Sequence, residues 1–150
     1  MKEIKKILFP TDFSEHNSRL LPWVKSLVQK YQAELFVLNV SSNLEFNFPF
    51  VYAPHLNLDE VSKQIQSYST EMMDKFVKEH LSDLPGTTTE VLIGDPAKEI
   101  LAYIKKHEID LIVMATHGRT GFEHAVFGSV AERVIKSSHI PVFVVNPLHN

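Results

Sequence analysis

The sequence predicts an α/β fold: an open, doubly wound parallel sheet of five strands, order 3-2-1-4-5, with helices on both faces in three layers. Three observations carry this. Short apolar runs alternate with helical patterns from one end of the chain to the other, the mark of strand–helix–strand units. Residues 35–40 and 111–114 are continuously apolar, as in strands buried on both faces. A helix-length segment separates each strand from the next, so right-handed crossovers return the strands parallel.

The elements follow in order. Residues 4–9 form a short apolar run ending at Pro10 and read as the first strand. Ser14 reads as a helix N-cap, with Glu15 in the first turn favouring the dipole. Leu20, Val24, Leu27 and Tyr31 then repeat at helical spacing, and Pro22 within them is expected to kink the helix or delay its regular part. Residues 35–40 are the second strand. Residues 42–57 hold Asn43, Pro49, Pro54 and Asn57 among aromatics and read as a long loop. Leu58, Val61, Ile65, Tyr68, Met72 and Phe76 mark one face of a long helix, ended by Pro85-Gly86.

The third strand is 87–93, rich in β-branched residues. Asp95 then reads as an N-cap, Pro96 as the first helical position, and Ala97, Ile100, Leu101 and Ile104 as the inward face. After the fourth strand, 111–114, a glycine-bearing loop covers 116–127. A short last helix holds Val130, Val134 and Ile135, and residues 142–145 form the fifth strand. The 150 residues are expected to form one domain, 1–150, a length that closes one sizeable core.

Composition excludes several classes. Hydrophobic residues make up 44% and charged residues 22%, which argues against disorder. The net charge of −3 gives no bulk attraction to nucleic acid, and no basic run offers a membrane-surface patch. The absence of cysteine removes disulfides, thiolate metal sites and cysteine nucleophiles. No segment is long and apolar enough to be a signal peptide or membrane span, so a cytoplasmic protein is expected. The eight histidines are scattered, with no H-x3-H pair on any helix, and no metal is expected.

In doubly wound sheets, ligands bind beyond the carboxyl ends of the strands at the switch point, here after strands one and four. Three of the five glycines, Gly118, Gly121 and Gly128, fall after strand four. Glycine permits close backbone approach and positive φ. Gly128-Ser129 opens a helix, where free N–H groups and the dipole favour an anion; Ser129 adds a hydroxyl and Arg119 a guanidinium. After strand one, Asp12 either accepts hydrogen bonds from a ribose or caps the following helix. Val40, ending strand two, either packs against a base or belongs to the core.

The runs Ile7-Leu8-Phe9-Pro10-Thr11-Asp12-Phe13-Ser14, Gly94-Asp95-Pro96-Ala97, Thr116-His117-Gly118-Arg119-Thr120-Gly121 and Gly128-Ser129-Val130-Ala131-Glu132-Arg133-Val134, with Pro141 opening the last strand, resemble the universal stress protein family over essentially the whole chain. The nucleotide-binding branch of that family carries G-x2-G-x9-G followed by Ser or Thr. Gly118, Gly128 and Ser129 match it, and Ala115 stands where the first glycine would be. The resemblance implies an ATP site, with or without Mg2+, and with AMP or ADP as alternatives. Pro10, Thr11, Asp12 and Val40 would surround adenine and ribose; Met114, Ala115, Gly118, Arg119, Gly128, Ser129 and Val130 would surround the phosphates. His117 has no nucleophile or acid beside it in the sequence, and no catalytic residue is assigned.

No G-x4-G-K-[ST] lysine and no evident carboxylate pair is available for phosphoryl transfer. A nucleotide-dependent dimeric switch in stress response is therefore favoured over catalysis. Two alternatives stay open: a ligand-free dimeric interaction module, with Ala115 marking the lost site, and a slow ATP hydrolase. The homodimer is expected through Val142, Phe143, Val144 and Val145, four apolar residues on an edge strand that only Pro141 guards.

Overall fold

The structure, a computed structural model, describes residues 2–42, 57–117 and 127–148. The elements run β1 (Lys6–Pro10), α1 (Glu15–Ser18), α2 (Leu21–Tyr31), β2 (Glu34–Ser42), α3 (Leu58–His80), β3 (Thr88–Gly94), α4 (Pro96–His107), β4 (Leu111–Ala115), α5 (Ser129–Ser137) and β5 (Val142–Val145). The strands form one sheet in the order β3-β2-β1-β4-β5, every neighbouring pair parallel. The expected fold class and strand order are both present.

Strand pleating divides the core in two. On β1, Ile7 and Phe9 face α2 and α3, while Leu8 faces α4 and α5. All three are fully buried, each contributing about 1.5–3 kcal/mol of transfer free energy. On β4, Val113 joins the first cluster, and Ile112 and Met114 the second. Two-sided burial explains why these strands read as unbroken apolar runs.

Several elements differ from the sequence reading. Pro22 neither kinks nor delays one long helix: it sits in the first turn of α2, after α1 has ended at Ser18, where its missing N–H costs nothing. On α3, Tyr68 is 63% exposed and Leu58 also points outward. Ser69 takes the inward position, its hydroxyl 3.0 Å from that of Ser41 on β2. This helix ends at His80, before Pro85-Gly86. On α4 the fully buried set is Ala97, Ile100, Tyr103 and Ile104, with Leu101 only partly buried; on α5 it is Ala131 and Val134, with Ile135 exposed. The expected loop at 42–57 lies largely outside the described residues.

β5 is an edge strand, yet its four apolar side chains are not all exposed. Val142 packs on one core cluster and Phe143 and Val145 on the other; Val144 alone reaches 37% exposure. Trp23 of α2, 53% exposed, lies against Phe143 with ring centroids 5.9 Å apart. Among the described residues, no helix is long and apolar enough to cross a membrane.

Candidate functional site

A cleft of about 290 Å3 opens beyond the carboxyl ends of β1, β2 and β4, where the chain order reverses and crossovers diverge to opposite faces. Nine of the candidate residues line it: Pro10, Thr11, Asp12, Val40, Met114, Ala115, Gly128, Ser129 and Val130. Gly118 and Arg119, like Thr120 and Gly121, lie outside the described residues.

The β1–α1 turn forms one wall and is held by several hydrogen bonds. The Thr11 N–H donates to the Leu38 carbonyl at 2.9 Å, and the Thr11 carbonyl accepts from the buried Asn39 amide at 2.9 Å. Thr11 Oγ1 accepts from the Phe13 N–H at 3.0 Å, and Asn17 Oδ1 accepts from the Asp12 N–H at 2.8 Å. Asp12 does not cap α1. Its Oδ1 accepts from the Ser14 N–H at 2.9 Å, and Ser14 is the cap, its Oγ accepting from the Asn17 N–H at 3.3 Å. The capping alternative for Asp12 is thereby removed, and its carboxylate orders the turn at the rim of the cleft.

The turn carries a local cost. Phe13 sits at φ 64, a left-handed conformation rarely adopted by a bulky residue. Its ring packs on Phe76 of α3, centroids 5.9 Å apart. This contact and the hydrogen bonds on both sides hold the conformation against strain of about 1–3 kcal/mol.

The opposite wall is the start of α5. The Gly128 N–H donates to the Thr116 carbonyl at 2.6 Å, tying the helix to the exit of β4, and the Thr116 N–H donates to the Val145 carbonyl at 3.0 Å. Gly128 is the N-cap, with φ −68 and ψ 161 and no side-chain cap. The backbone here is extended, so the positive φ that glycine permits is not used at Gly128. Ser129 and Val130 follow in the first turn, where N–H groups lack intrahelical partners.

Ala115 ends β4, buried and paired with Val145. It is not among the positive-φ residues, so its methyl imposes no backbone strain. Leu38, Val40, Ile100 and Met114 give the cleft an apolar interior. Asn17, Ser42, Thr116 and His117 add polar groups that the sequence reading did not assign. His117 is buried, its Nδ1 2.9 Å from Thr116 Oγ1. Among the described residues, no cluster of three or more His, Cys, Asp or Glu side chains could hold a metal ion.

Fold and cleft together define a doubly wound α/β protein with an open cleft at its switch point. Residues 3–146 match the universal stress protein family, and the chain belongs to it. Universal stress protein MJ0531 of Methanocaldococcus jannaschii is 37% identical over 147 residues, covering 94% of this chain and 81% of the relative. Universal stress protein MJ0577 of the same organism is 30% identical over 152 residues and 94% of each chain. The solved structure of MJ0577 superposes with a TM-score of 0.80 at 31% identity, covering 97% of each chain. A universal stress protein solved in complex with cAMP shares the fold, with a TM-score of 0.66 at 16% identity over 97% of this chain and 99% of that one.

Proposed function

We propose that the cleft binds an adenine nucleotide and that the protein works as a nucleotide-responsive homodimer in stress regulation, with little or no turnover. The observation that supports this best is convergence: the β1–α1 turn, the end of β2 and the N-terminus of α5 meet at one cleft. The apolar wall of Leu38, Val40, Ile100 and Met114 suits a flat base. Thr11 and Asp12 line the same cleft, and a hydroxyl and a carboxylate suit ribose hydroxyls. The N-terminus of α5, with Ser129, suits a phosphate. A family member of the same fold is known in complex with cAMP. The volume lies at the lower edge of the roughly 300–1,000 Å3 usual for small-molecule sites.

Mass spectrometry of the native purified protein is expected to find an adenine nucleotide, and calorimetric titration to give saturable binding of ATP, ADP or AMP. A protein that arrives empty and takes up none of the three would defeat the reading. Steady-state phosphate release with Mg2+ is expected to stay below about 1 s−1, the lower end of ordinary enzyme turnover.

Ala115 lies in strand backbone without positive φ, so its methyl group adds no backbone strain, which supports a retained site. Ala115→Gly is therefore expected to leave nucleotide affinity within about twofold while lowering stability by about 0.5–1 kcal/mol from added backbone freedom. Titration and urea unfolding measure the two separately. A large gain in affinity would favour the ligand-free interaction module as the natural state.

A further inference from the structure

The turn Gly94-Asp95-Pro96-Ala97 joins β3 to α4 and brings Pro96 to the cleft. Asp95 is the N-cap of α4, its Oδ2 accepting from the Lys98 N–H at 3.0 Å. The same carboxylate is held by Arg133 of α5. Arg133 Nη1 donates to Oδ1 at 2.8 Å and Nη2 to Oδ2 at 2.8 Å. Such a two-pronged pair fixes orientation as well as distance. Each partner belongs to a helix that supplies a wall of the cleft: Pro96 and Ile100 from α4, and Gly128 to Ala131 at the start of α5. Arg133 stands four residues beyond Ser129, about one turn along the helix.

We infer that Asp95 and Arg133 form a positioning clamp that fixes the first turn of α5 against α4, and through it the phosphate end of the cleft. This rests on the nucleotide reading above. The N-cap of α5 has no side-chain hydrogen bond. Its described ties are the Gly128–Thr116 backbone bond, the packing of Ala131 and Val134, and this ion pair. The Arg133 guanidinium, with the Lys98 N–H, holds the Asp95 carboxyl below its ordinary range, so the pair stays charged at neutral pH. Both side chains are at least a third exposed, and ion pairs of that kind add little to global stability. The consequence of the clamp is local: it limits how far one wall can move from the other.

Asp95→Asn keeps an N-cap acceptor of the same shape while removing the charge. Arg133→Met keeps an apolar stem without the fork. Adenosine, AMP and Mg·ATP are titrated into wild type, each single variant and the double variant. Adenosine affinity is expected to stay within about twofold, while AMP and ATP weaken by roughly fivefold in either single variant and no further in the double. Arg133→Lys, which keeps the charge without the fork, is expected to fall between wild type and Arg133→Met.

Amide hydrogen exchange on the ligand-free proteins gives a readout independent of nucleotide. Gly128 and Glu132, whose N–H groups donate to the Thr116 and Gly128 carbonyls, should exchange faster in both single variants, with Ile112 and Val113 unchanged. Parallel loss of adenosine and ATP affinity would overturn the clamp, because it would show a general structural effect. So would variants that alter neither affinity nor exchange. A wild type that binds no nucleotide, with first-turn exchange still responding to the variants, would sustain the clamp and sink the nucleotide reading.

Discussion

Gly128→Asp is expected to lower the affinity for ATP and AMP by more than about a hundredfold while leaving the melting temperature unchanged or slightly raised. The two effects have separate causes. Gly128 is the N-cap of α5, with an extended backbone at φ −68 and no side-chain cap. Any residue can adopt that conformation, and aspartate is a better cap than glycine by a few tenths of a kcal/mol. The folded state therefore loses nothing. A phosphate on the same N–H groups would meet the new carboxylate at close range. Two unit charges 4 Å apart repel by about 4 kcal/mol at an effective dielectric of 20, which is beyond a hundredfold in affinity. Gly128→Ser supplies a cap without charge and should retain binding. Adenosine, lacking phosphate, should bind both variants about as well as wild type. Titration of the three ligands with thermal unfolding decides it. If Gly128→Asp binds ATP as wild type does, the phosphate does not lie at this helix terminus.

What could be read from residues alone follows the range of the interactions involved. Strand identity and parallel pairing were legible because burial on both faces leaves unbroken apolar runs, and parallel pairing requires crossovers, while the strand order accords with the family resemblance. Caps were legible where a short polar side chain bonds its own neighbourhood, as at Ser14 and Asp95. Helix ends were not legible where the C-cap takes a left-handed conformation without glycine, as at Gln32 and Glu108. Nothing in the sequence marks those positions, because hydrogen bonds back to the last turn hold them.

The face of α3 was misjudged at Tyr68 because hydrophobicity alone cannot distinguish an outward aromatic from an inward one. Ser69, Met73 and Phe76 form the buried face, and the Ser69 hydroxyl lies 3.0 Å from that of half-buried Ser41. In the cleft, residues next to the strand ends were legible from topology. Asn39 and Asn17 were not, since their role is to bond backbone groups of the β1–α1 turn, contacts no local pattern announces. Phe13 likewise carries no sign of its left-handed backbone, which is held by hydrogen bonds around it and by the ring of Phe76, far away in sequence.

Val144→Pro is expected to convert the proposed homodimer to a monomer without unfolding it. Backbone geometry supplies the reason. The Pro141 carbonyl accepts from the Ile112 N–H at 3.2 Å, and the Val145 carbonyl accepts from the Thr116 N–H at 3.0 Å. Backbone polar groups alternate sides along a strand, so residues 141, 143 and 145 direct theirs to β4. Residues 142 and 144 direct theirs to the open edge. Proline at 144 thus removes an outward N–H and spares the ladder to β4, the one setting in which a sheet tolerates it. The side-chain loss is small as well, because Val144 is the most exposed residue of the strand. Only pairing of β5 with a second copy about a two-fold axis depends on that edge. Trp23, exposed beside Phe143, would lie near such a seam, and its fluorescence offers a second signal of dissociation. Sedimentation equilibrium at micromolar concentration is expected to give a dimer for wild type and a monomer for Val144→Pro, with circular dichroism unchanged. A variant that remains dimeric would place the interface elsewhere, and a monomeric wild type would remove the dimer from the proposed mechanism altogether.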